Sequence, residues 1–159
     1  MSDGKTNAVR LLEKTGAVFT VHTYTVDDGR VDALTVAEKL GVAPERLFKT
    51  LVTVGADRGH YVFMIPAANE LDLKRAARAA GVKSVAMLPT AALFPLTGYV
   101  HGGCSPLGMK KAFPTFVEEL AVVHDTIVFS AGRVGMNLEM NPEQLARVTG
   151  AFFAPLVRD

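Results

Sequence analysis

The sequence predicts one α/β domain spanning residues 1–159, in which helices alternate irregularly with the strands of a mixed, partly antiparallel sheet. Three observations carry this. Segments with apolar residues at helical spacing are interleaved with short runs rich in β-branched and aromatic residues. Two of those runs, 47–54 and 60–66, are too apolar to face water and are joined by Ala56-Asp57-Arg58-Gly59, so they read as a hairpin inside a sheet. No repeat, low-complexity tract or linker interrupts the order, and 159 residues can bury a core without disulfides or a structural metal.

In chain order, residues 7–14 place Ala8, Val9, Leu11 and Leu12 at helical spacing, and Gly16 supplies a stop. Residues 18–24 alternate as a strand, with Val18, Thr20, His22 and Tyr24 on one face and Phe19, Val21 and Thr23 on the other. At its end, Tyr24 either floors a pocket or packs at an interface with its hydroxyl in water. Asp27-Asp28-Gly29-Arg30 is turn chemistry, and residues 35–41 form a helix with Thr35 as cap and Glu38 at the capping-box position. Strand 47–54 follows, interrupted by Lys49. Alternation sets Lys49 on the face of Leu51 and Thr53, near the strand's start, where its ammonium either reaches a cleft or snorkels to solvent. It ranks first among the lysines as a site residue, because the others lie mostly in polar helical or turn-like segments.

After the hairpin, residues 71–81 read as a helix with Asp72 near its N-terminus and a basic side of Lys74, Arg75 and Arg78, joined by Lys83. These cations either meet phosphates or form the solvated face of an amphipathic helix. Residues 85–88 suggest a short strand, and 90–94 a helical turn ended by Pro95. Residues 126–130 form a strong strand that runs into a glycine-bearing turn over 131–137. Asn141 and Pro142 cap and open a last helix over 141–148, before the apolar segment 151–153.

Composition narrows function more than it names it. The apolar fraction of 49% and charged fraction of 21% suit a soluble globular protein, and no run approaches a membrane span. The N-terminal residues lack an apolar signal region, so the cytoplasm is the expected location. Cys104 is the only cysteine and no Cys/His cluster has zinc spacing, so neither metal nor cofactor is expected. With a net charge of +1, any nucleic-acid binding must rest on a local patch.

The most unusual stretch is Gly102-Gly103-Cys104-Ser105-Pro106-Leu107-Gly108, followed by Met109-Lys110-Lys111. Its glycines and proline permit a backbone that aims N–H groups at an anion or at a carbonyl oxygen gaining charge. The same composition also describes a tight turn between strands. It matches neither the phosphate-binding P-loop nor the dinucleotide fingerprint. Cys104 with His101 as its base would be a nucleophile pair, but a buried, incidental cysteine reads better, and no histidine has a motif-level partner for a triad.

Phe48-Lys49-Thr50-Leu51, the Gly102–Lys111 stretch and Ser130-Ala131-Gly132-Arg133, in that order and with Leu71-Asp72-Leu73-Lys74 between them, resemble the YbaK/EbsC family of free-standing aminoacyl-tRNA deacylases. The likeness runs from Ala8-Val9-Arg10-Leu11-Leu12-Glu13 to the C-terminal helix. It implies a barrel-like sheet related to the editing insertion of prolyl-tRNA synthetases, making residues 1–159 one editing domain. It also implies removal of cysteine from Cys-tRNA(Pro), and from Cys-tRNA(Cys), with a tRNA acceptor end and a prolyl-tRNA synthetase as partners. By match to the family, Lys49, Gly102, Gly103 and Ser105 would do the catalytic work. Tyr24, Thr50, Pro106, Gly108, Ser130, Gly135 and Asn137 would hold the substrate. The chain departs from the family at Ala131, Val134 and Cys104, and at Asn137, where relatives commonly carry Asp. Two other readings stay open: a deacylase for another small mischarged residue such as alanine, and a non-catalytic module that binds aminoacyl-tRNA or a synthetase.

Overall fold

The structure, a computed structural model, describes residues 4–26 and 28–159. Residues 1–3 and Asp27 of the expected turn lie outside the described residues. Among the described residues, eight strands form two sheets. The larger takes the order β4-β2-β3-β5-β8 from β2 (Phe48–Gly55), β3 (His60–Pro66), β4 (Val85–Met87), β5 (Thr115–Glu118) and β8 (Phe152–Ala154). The smaller takes the order β1-β7-β6 from β1 (Thr20–Thr23), β6 (Ile127–Arg133) and β7 (Met136–Met140). β2 pairs antiparallel with both β3 and β4, whereas β3, β5 and β8 run parallel, so the mixed sheet expected from the sequence is present. The barrel-like closure is not: the two sheets remain separate and meet at a parallel bridge between Leu47 and Val128.

Most of the α-helices begin where short polar side chains accept a free N–H, and they end where glycine turns left-handed. Helix α1 (Asn7–Thr15) is capped by Thr6 and Gly16, and α3 (Leu73–Ala80) by Asp72 and Gly81. Helix α5 (Pro142–Thr149) is capped by Asn141, which accepts from Gln144 N. Helix α2 (Ala33–Leu40) starts earlier than expected, because Asp32 rather than Thr35 is its cap and accepts from Thr35 N at 3.1 Å. Helix α4 (Thr90–Thr97) continues through Pro95. A proline forfeits one helical hydrogen bond, and here the Thr97 hydroxyl donates to Leu93 O while Gly98 N donates to Phe94 O, which holds the last turn.

Two further expectations give way. The anticipated 18–24 strand shortens to β1, an edge strand with Val18 outside it and 78% exposed. The anticipated 131–137 turn is mostly strand, because β6 runs on through a bulge between Ser130 and Arg133 and β7 already begins at Met136. β5 has no counterpart in the sequence reading. It is a four-residue strand, buried throughout, and it ends at Glu118, whose buried carboxylate accepts from Leu156 N, Val157 N and Leu120 N.

The hairpin register places Lys49 opposite Ile65, Leu51 opposite Phe63 and Thr53 opposite Tyr61, so these pairs share one face of the large sheet. Leu51, Phe63 and Ile65 pack there with Ala76 and Ala77 of α3. The other face carries Phe48 and Met64 into the main core with α1, β6 and β7.

Candidate active site

The site begins as a gap in the edge of β2. At one end, Val128 N donates to Arg46 O; at the other, Leu88 N donates to Val52 O and β4 pairs only from Thr53 onward. Main-chain groups alternate along a strand, so Thr50, like Val52, presents its N–H and C=O to the edge that β4 leaves uncovered. A cavity of about 450 Å³ opens at this gap. Its walls are residues 47–51 of β2, Ala67 after β3, Tyr24 after β1, Val31 to Leu34 and Val36 around the start of α2, the loop residues His101, Gly102 and Cys104, and Ser130 and Asn137 of β6 and β7.

Lys49 is half-buried in this wall, and its Nζ donates to Ala67 O at 3.3 Å. Burial pushes its pKa below the ordinary lysine value, against a smaller upward pull from the Glu70 carboxylate. Beside it, the Thr50 hydroxyl oxygen is buried without a hydrogen-bond partner among the described residues. Such an orphan costs free energy unless something in the cavity pairs with it. Asn137 sits opposite Ser130 and His22 in the small sheet, is only 5% exposed, and brings an amide to the cavity wall. The Ser130 hydroxyl accepts from Gly132 N at 3.1 Å.

The glycine-rich loop is held from below. The Tyr99 hydroxyl donates to Leu107 O at 2.6 Å, Gly103 N donates to Val100 O at 2.9 Å, and the buried Ser105 Oγ accepts from Leu107 N at 3.3 Å. A Cβ on Gly103 would lie 2.8 Å from Val134 N and 3.1 Å from Arg133 C, so only glycine lets this loop rest on the backbone of the β6–β7 hairpin. Gly102, at φ +84°, similarly lies against Val31 before α2. The loop, the hairpin and the approach to α2 are thereby packed into one wall.

Of the residues singled out from the sequence, the fold brings Tyr24, Lys49, Thr50, Gly102, Ser130 and Asn137 to one cavity. Gly103, Ser105, Pro106, Gly108 and Gly135 lie outside its lining: Ser105 is turned into its own loop, Gly108 abuts the start of α1, and Gly135 abuts the Tyr24 carbonyl. The sequence reading missed the contribution of Val31, Asp32, Ala33, Leu34, Val36 and Ala67. The cap at Asp32 was the available signal, since it moves the start of α2 up to the cavity mouth.

Cys104 lines the cavity, but burial pushes its thiol pKa up to about 12, and no hydrogen bond joins it to the exposed His101 among the described residues. A thiol held protonated is a poor nucleophile. What the wall offers instead is a cation, a buried unpartnered hydroxyl and a fixed main chain, which suit binding and orienting an ester rather than attacking it.

Fold and cavity together define a small α/β domain with a cavity between a half-buried lysine and a glycine-rich loop. The chain belongs to the aminoacyl-tRNA editing domain family, which matches residues 29–148. It is 44% identical over 152 residues to an Enterococcus faecalis protein that carries the name of a Cys-tRNA(Pro)/Cys-tRNA(Cys) deacylase, EbsC, covering 96% of this chain and 93% of that one. A crystal structure described as that of a trans-editing enzyme for prolyl-tRNA synthetase superposes with a TM-score of 0.87 at 25% identity, over 100% of this chain and 99% of the other. The crystal structure of a hypothetical protein shares the fold with a TM-score of 0.88 at 22% identity, over 96% and 100% of the two chains.

Proposed function

We propose that this chain is a trans-editing deacylase that removes cysteine from mischarged Cys-tRNA(Pro), and from Cys-tRNA(Cys), in the cytoplasm. The observation that carries this reading is the 44% identity to EbsC along nearly the whole of both chains. The cavity supports it: about 450 Å³ accommodates a terminal ribose and a small aminoacyl group, and no activated nucleophile lines it.

The substrate then supplies the nucleophile. Its own thiol sulfur attacks its ester carbonyl carbon, the bond from that carbon to the ribose oxygen breaks, and the thiol proton passes to the departing ribose hydroxyl. The product is a four-membered thiolactone, which water opens to free cysteine. Lys49 holds the ribose or phosphate region and steadies charge on the carbonyl oxygen, with the Gly102-Gly103 main chain and Ser105 fixing the loop around the aminoacyl group. Thr50 offers the hydroxyl left unpartnered in the wall and Asn137 its amide, while Tyr24, Ser130, Pro106, Gly108 and Gly135 shape and support it. In this reading the wall rejects prolyl groups, so correctly charged tRNA survives. Selection among tRNAs is left to a prolyl-tRNA synthetase partner.

Exchanging the substrate thiol tests the chemistry. The protein should release cysteine from tRNA(Pro) while leaving serine and alanine on the same tRNA at rates at least roughly a hundredfold lower, since general positioning remains but the attacking sulfur is gone. Equal rates for alanine and cysteine would replace cyclisation with attack by a bound water.

A further inference from the structure

A second cavity, of about 310 Å³, lies between α3 and β4 and is lined by Lys74, Arg78 and Lys83 over an apolar floor that includes Ala77 and Val85. Lys74 and Arg78 are four residues apart on one helix and therefore project side by side. All three cations are exposed and make no ion pair among the described residues. No acid lines the groove. The nearest along the chain are occupied elsewhere, Asp72 capping α3 and facing Arg75, and Glu70 paired with Arg158 at 2.6 Å. The formal charge of +1 hides this concentration.

Its position relates it to the first cavity. Lys49 and Leu51 project from the same face of the large sheet that α3 covers, and Leu51 both lines the first cavity and packs in the cluster beneath α3. Val85 in the groove is paired with Gly55, six residues along β2 from Lys49. At about 3.3 Å per residue that is roughly 20 Å, or about six steps of a stacked nucleic-acid strand at 3.4 Å each.

We infer that the Lys74–Arg78–Lys83 groove binds backbone phosphates of the tRNA acceptor arm a few nucleotides from the aminoacyl ester, while the ester itself lies at Lys49. This rests on the proposed deacylase reading for the identity of the RNA. Phosphate contacts position a nucleic acid without reading its bases, so the groove supplies affinity and direction of approach but no choice among tRNAs.

The test is binding of uncharged, fluorescently labelled tRNA(Pro) across a salt series, which does not depend on turnover. K74Q/R78Q/K83Q is compared with wild type and with R10Q/K14Q/R147Q, which removes the same charge from α1 and α5. The groove variant should bind roughly tenfold more weakly at low salt, and its log–log salt slope should fall by about 2, as expected for three lost phosphate contacts. The control variant should stay near wild type. On a cysteinyl ester of adenosine alone, the groove variant should turn over like wild type. Equal weakening in both variants, or none in either, overturns the groove. A groove effect on binding in a protein that releases no cysteine would sink the deacylase reading and leave the groove standing.

Discussion

Lys49 shows how a single residue can be legible in sequence while its energetics are not. A charge inside an otherwise apolar strand stands out, and alternation places it on the face of Leu51 and Thr53, as the hairpin register bears out. What no local pattern contains is the gap in the edge of β2, because it depends on where β4 and β6 stop. The lysine is half-buried in that gap with a pKa held below 10.5, chiefly by desolvation. Between the folded pKa and 10.5 the unfolded chain binds the proton more tightly, so stability rises with pH across that window and the penalty is fully present below it. Lys49→Met should therefore melt above wild type at pH 7, with the difference shrinking as the pH approaches 10.5. A difference that stays constant from pH 7 upward would show that desolvation of the ammonium is not what Lys49 costs the fold.

Among the elements, the glycine-rich loop and the β6–β7 hairpin act as one wall. Local patterns placed the loop, the hairpin glycines and four of the five helices close to where they lie. They failed where long-range pairing overrode the local reading. Gly132 looks like a turn but is accommodated by a bulge in β6, with its φ of +101° set against the Tyr99 ring. Asn137 looks like loop and is instead a buried strand residue facing the cavity. The short β5 hides because a four-residue strand ending in an acid has no alternation to read, and its Glu118 is satisfied by N–H groups from residues 120, 156 and 157. The contact between loop and hairpin can be tested at Gly103. A methyl there meets backbone on the hairpin rather than a side chain that can swing away, so Gly103→Ala should lose about 1–3 kcal/mol in denaturant unfolding and lower turnover as the wall shifts. Wild-type stability in that variant would mean that the loop does not rest on the hairpin.

For the molecule as a whole, sequence patterning was enough for the α/β class, because strands rich in Val, Ile and Phe and well-capped helices agree with the fold they enter, but it left much of the cavity wall, from Val31 to Leu34 and at Val36 and Ala67, unread. It did not anticipate two separate sheets, since bridging at Leu47 rather than barrel closure is decided by register. That separation is what leaves β2 uncovered from Phe48 to Leu51 and creates the site. On the proposed reading, this site deacylates cysteinyl-tRNA by positioning its substrate around Lys49. The most direct test is release of labelled cysteine from Cys-tRNA(Pro) by the purified protein, run beside Lys49→Ala and a protein-free blank. Rapid release by the wild type, falling to the blank rate in Lys49→Ala, is the predicted result. No release above the blank, or release undiminished in Lys49→Ala, would contradict it.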